Sequence, residues 1–118
     1  MPALNNVQLI GRLGKDPETR FTPTGKKVCH FTLAVSRRNS EEADWFQVDA
    51  WERLGEVCQQ YLVKGRLIFI EGRLRTDRWT DDKGETRYTT HVVARQMQML
   101  DRKPDEQEVT AEGEAPEA

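Results

Sequence analysis

No stretch of this chain approaches the roughly 20 consecutive apolar residues with which a helix crosses a bilayer, so no membrane-spanning helix is expected. The opening residues, MPALNNVQLI, carry no charged segment ahead of an apolar run and no arginine enrichment, unlike a secretory leader or an organelle transit peptide. A cytoplasmic protein of bacterial type is the expectation. Cysteine is scarce: Cys29 and Cys58 are the only two, far apart and outside any CxxC or metal-ligand spacing. Both fall on apolar faces and read as small buried hydrophobes. Histidine is equally scarce, with His30 and His91 alone and neither in an HExxH spacing. A phosphate-cradling GxxxxGK[ST] loop is missing. Asp81 and Asp82 are adjacent carboxylates, but at a turn such a pair is ordinary turn chemistry. No catalytic, cofactor or metal assignment is expected from these residues.

The chain does contain abundant and segregated charge. Over residues 1–100 there are 16 Lys and Arg against 13 Asp and Glu, whereas residues 101–118 hold 2 against 7. A mildly basic body therefore carries an acidic appendage, and only the body suits a polyanion. The appendage, DRKPDEQEVTAEGEAPEA, has a single β-branched aliphatic, Val109, and loses all hydrophobic periodicity. It cannot bury enough to offset its ordering entropy and is expected to be disordered. Two regions follow: a folded domain over residues 1–100 and an acidic tail over 101–118.

Hydrophobic alternation organises the body. Val7, Leu9, Gly11 and Leu13 mark a first strand, and Cys29, Phe31, Leu33 and Val35 a second. The intervening KDPETRFTPTGKK reads as a loop with a turn at Pro23-Thr24-Gly25. A third strand follows in DWFQVDAWER. The period then changes to helical, with Leu54, Val57, Cys58, Tyr61 and Leu62 on one face and Gly65 as the expected C-terminal cap. A long fourth strand runs from about Arg66 to Trp79, with Ile68, Ile70 and Leu74 on one face and a bulge expected at Gly72. A hairpin tip at Asp82-Lys83-Gly84 leads to a last strand ending near Leu100. Five strands with one short helix between the third and fourth predict an all-β OB-fold, a small Greek-key barrel.

The third strand is the most telling. Side chains two apart share a face, so Trp45, Gln47, Asp49 and Trp51 point together, opposite Phe46, Val48 and Ala50. Indoles sharing a face with an amide and a carboxylate suggest a stacking platform for bases. The plainer alternative buries both tryptophans against a second layer or a partner subunit. In GRLRTDRW, Arg73, Arg75 and Trp79 share a face by the same parity, which suits stacking combined with phosphate contact. Arginines taken singly read as a solvated surface; only the cluster carries information.

These segments closely resemble the bacterial single-stranded-DNA-binding proteins. The matching stretches are NNVQLIGRLGKDPETRFTPTGKKV, FTLAVS, WFQVDAW, LGEVCQQYLVKGRLIFIEGRLRT, RWTDDKGETRYTT and MQML, in the family's order and over four-fifths of the chain. The resemblance implies an OB-fold assembling as a homotetramer and a non-enzymatic function. That function is sequence-independent coating of single-stranded DNA in replication, recombination and repair, at a cytoplasmic, nucleoid-associated location. It implies base stacking at Trp45, Trp51 and Trp79, and phosphate contacts at Arg12, Arg37, Arg38, Arg73, Arg75 and Arg87. The competing reading is a primosome-like OB-fold subunit working through protein contacts. RNA binding is also open, because stacking does not read the 2′-hydroxyl.

Two departures shape further expectations. Some family members carry an extra aromatic after the second strand, where this chain has Ser36-Arg37-Arg38-Asn39, so charge is expected to replace stacking and steepen the salt dependence. Family tails end in a bulky Ile-Pro-Phe tip that recruits replication and repair enzymes, whereas this sequence closes on GEAPEA, so docking through the tip is not expected.

Overall fold

The computed structural model describes residues 2–101 and 110–112. Seven strands and one helix appear among them: β1 (Val7–Leu13), β2 (Glu18–Phe21), β3 (Lys27–Ser36), β4 (Ala43–Trp51), α1 (Glu52–Tyr61), β5 (Leu67–Thr80), β6 (Thr86–Met99) and β7 (Thr110–Glu112). The sheet order β1-β5-β6-β4-β3 returns on itself through β1–β3, so these five strands close a barrel as an OB-fold requires. Two short seams make the closure: Arg12 and Leu13 opposite Ala34 and Leu33, and a parallel pair of Val48 and Asp49 with Val92 and Val93. The alternating residues fill the interior as their pattern demands, with Phe31, Leu33, Val48, Ile68, Ile70, Val92 and Met97 fully buried. Helix α1 caps one end with Leu54, Cys58 and Leu62.

Four local expectations need correction. Residues 18–21, read as loop, form β2 and pair with β3 from Glu18 opposite His30 to Phe21 opposite Lys27. This strand is largely solvent-facing, so the tertiary pairing that creates it leaves no apolar alternation in its sequence. Gly65 does not cap the helix: Leu62 takes the C-cap, and Gly65, at φ +87°, turns the chain into β5. Leu74 is 41% exposed instead of sharing the core with Ile68 and Ile70. Beyond the bulge at Glu71/Gly72, the β5–β6 hairpin leaves the barrel as a projecting arm, which carries Leu74 out of the interior. Finally, Thr110–Glu112 of the tail pair antiparallel with β6, against the expectation of disorder there. That expectation for the rest of the tail lies outside the described residues, as does docking through its end.

Candidate nucleic-acid interface

Strand β4 holds both tryptophans by strand parity. Trp45 sits opposite Ala34 and Trp51 opposite Val28, with Gln47 facing Thr32 and Asp49 facing His30 between them. The six-residue separation spaces the indoles by about 20 Å along the barrel's outer surface, at the usual strand rise. Trp45 is 63% exposed, its ring lying over Gly14 so closely that a Cβ there would come within 2.4 Å of it. Trp51 ends the strand, where Glu52 takes φ +53° to turn directly into α1. Its partly buried ring faces the Arg75 guanidinium at 5.9 Å, a cation–π distance. Trp79 stands on the projecting arm, 49% exposed, and donates its indole N–H to Thr89 Oγ1 at 3.0 Å.

Between Trp51 and the arm lies an open hollow of about 420 Å³, bordered by Arg20, Gln47, Arg75 and Thr89 and lined by His30, Asp49 and His91. Asp49 is buried, in contrast to its expected place on an exposed face beside the tryptophans. His30 Nδ1 lies 2.7 Å from Asp49 Oδ1, His91 Nδ1 3.2 Å from Asp49 Oδ2, and Arg75 Nη2 3.5 Å from the same oxygen. The two imidazoles meet edge-on at 5.9 Å. His30 lies on β3 and His91 on β6, each within an ordinary strand pattern. Nothing within either segment signals the cluster, which exists only because β3, β4 and the arm are brought into register.

The six arginines fare differently from one another. Arg12 shares the outer face of Trp45 across Ala34, but it is paired with Asp101 at 3.3 Å and donates to the Gly65 carbonyl at 2.9 Å. Arg37 is clamped by Glu42 at 2.8 Å and Asp44 at 2.9 Å. Arg75 is shared between Asp49 and Asp77, and Arg87 between Asp81 and Glu85. Arg87 also shifts its neighbour: its hydrogen bond, with backbone N–H groups of the hairpin tip, holds the Asp81 carboxyl below its ordinary range. Of these six, Arg38 and Arg73 make no ion pair among the described residues. In three of the four paired cases at least one acid sits two to seven residues from its arginine, a signal present in the local sequence.

The arrangement holds three indoles, one of them beside an open hollow, with four of the six arginines paired to carboxylates. A relative from Chlorobaculum tepidum, the single-stranded DNA-binding protein 1, is 47% identical over 105 residues. The match covers 82% of this chain but only 65% of that protein's length. Residues 4–100 match the model of the single-strand binding protein family. With the barrel, the capping helix and the outward tryptophans all in place over the matched span, the chain belongs to the single-strand binding protein family.

Proposed function

We propose that this protein binds and coats single-stranded DNA without sequence preference, stacking bases on Trp45, Trp51 and Trp79. The observation that carries this reading is the shared face of Trp45 and Trp51 on β4, the first exposed and the second lining the hollow, with Trp79 on the arm bonded to Thr89, which lines the same hollow. A folding argument alone would bury such rings; a stacking surface needs them out. The name of the Chlorobaculum relative, a single-stranded DNA-binding protein, supports the ligand. Of the six arginines proposed for phosphate contact, Arg38 and Arg73 are free to take phosphates, while Arg12, Arg37, Arg75 and Arg87 must first leave carboxylates. The protein acts by binding, shielding the strand and preventing its re-annealing, in the service of replication, recombination and repair. It does so as a homotetramer, an assembly supported by the family and by the exposed apolar surface on the outer side of β1, where Ile10 is 54% exposed opposite Phe69. No described helix is long and apolar enough to cross a membrane, and a cytoplasmic, nucleoid-associated location follows from the DNA ligand.

Titration of intrinsic tryptophan emission with oligo-dT at low and high salt tests the reading. Quenching that saturates at a fixed nucleotide-to-protein ratio is the expected result. Folded protein whose emission does not respond would place the indoles at a protein interface and favour the subunit reading.

A further inference from the structure

We propose that His30, Asp49 and His91 form a binding site for a borderline divalent metal ion, with Zn²⁺ as its representative. Three protein ligands of this kind, two imidazoles and a carboxylate, suit zinc, cobalt, nickel or copper, whereas magnesium and calcium prefer all-oxygen shells. The three donor atoms already lie within 4.8 Å of one another. Tetrahedral zinc, at its usual bond lengths, separates neighbouring ligand atoms by about 3.3 Å. The observed 3.2 Å from His91 Nδ1 to Asp49 Oδ2 matches this; His30 Nδ1, hydrogen-bonded at 2.7 Å to the other oxygen, Oδ1, exchanges that bond for the metal, and donor separations of up to 4.8 Å close on binding.

A second observation points the same way. His91 Nδ1 is buried and makes no hydrogen bond, although a carboxylate oxygen lies 3.2 Å away. If that nitrogen carries a proton, the proton is misaligned; if it carries a lone pair, it faces an anion. A cation between the two atoms removes both problems. The neighbouring charges permit one. Arg75 contacts Asp49 but also Asp77, at 3.3 Å, so it keeps a carboxylate partner when Asp49 turns to a metal. Arg20, at the rim, is already paired with Glu18 at 3.1 Å. With neutral imidazoles, Asp49 and Asp77 against Arg75 leave one excess negative charge around the site.

The cysteines do not compete as ligands. Cys29, next to His30 on β3, points by strand parity to the opposite, core side, and Cys58 is buried in the same core. The remaining coordination positions face the hollow beside Trp51, open to water or to an incoming ligand. The site stands on its own geometry, whether or not the hollow receives DNA.

The test is calorimetric titration of Zn²⁺ into the full chain, freed of metal by a chelator and without DNA. One saturable Zn²⁺ per chain is expected, weakened more than roughly tenfold in both His30→Gln and His91→Gln, a loss no smaller than that for outer-shell partners. No saturable binding, or binding undiminished in both variants, overturns the proposal. X-ray absorption of the zinc-loaded wild-type protein decides the matter even if the variants fail to fold. A shell of nitrogen and oxygen with two imidazoles supports the site, and sulfur in the shell refutes it.

Discussion

Trp45→Ala separates stacking from folding more cleanly than any other change on the proposed DNA face. The indole is 63% exposed and lies over Gly14, so its removal takes little from the core. Stability should stay within about 0.5 kcal/mol of wild type, as for surface substitutions generally. Binding should suffer far more. One base–aromatic stack is worth about 1–3 kcal/mol, a general range for single-strand binders that includes this family. That range corresponds to a loss of roughly 5- to 150-fold in affinity. Trp51→Ala should lose a similar stack and, in addition, the facing Arg75 contact of about 0.5–1 kcal/mol. It should therefore lower the unfolding midpoint as well as the affinity.

Gly14→Ala gives an independent handle on the same ring. The added Cβ meets Trp45 at 2.4 Å and Thr32 Oγ1 at 2.9 Å, and the exposed ring is the part able to move. A displaced indole should bind DNA more weakly than wild type but better than Trp45→Ala. Anisotropy of a labelled oligo-dT measures all three variants without relying on the fluorophores being removed, and circular dichroism checks the fold. A folded Trp45→Ala variant that binds within twofold of wild type would refute the reasoning. So would a Gly14→Ala variant with a larger defect than the truncation.

The charged and backbone features yield three further expectations. Arg38→Ala and Arg73→Ala should each flatten the slope of log affinity against log salt by about 0.7, the single-strand value per phosphate contact, whereas Arg87→Ala should flatten it less because Arg87 is already held by Asp81 and Glu85. Asp81, held chiefly by Arg87, should titrate below its ordinary 3.8. Its contribution to hairpin order is therefore full above that value and lost as pH falls through the lowered one; carboxyl NMR should show Arg87→Ala moving the titration back up. Gly72→Ala places a Cβ 2.0 Å from the Val93 carbonyl oxygen, a backbone atom that cannot swing aside. Overpacking of this kind costs about 1–3 kcal/mol, to be read as a lower urea midpoint.

What the sequence made legible divides along the range of the interactions involved. The parity of Trp45 and Trp51, the bulge at Gly72 and the tip at Asp82-Lys83-Gly84 are set by a few neighbouring residues, and each appears where the pattern places it. β2 escaped because pairing with β3 makes it a strand, not its own composition. The His30–Asp49–His91 cluster escaped for the same reason, since 19 residues separate the first pair and only cross-strand register joins them. Asp49 accordingly looked like a solvated neighbour of the tryptophans and proved to be buried.

The arginines bear on the expected salt dependence. An arginine-rich loop without an aromatic argued for charge in place of stacking and thus a steep salt slope. Yet Arg37 in that loop is held by Glu42 and Asp44, and Arg12, Arg75 and Arg87 are likewise held by acids. Each phosphate contact made by one of these four must first exchange a carboxylate for a phosphate, so it yields less than a free arginine. On the proposed surface only the arginines without an ion pair among the described residues, such as Arg38, Arg73 and Arg78, contribute at full value, so the salt slope is expected to be shallower than the arginine count alone implies.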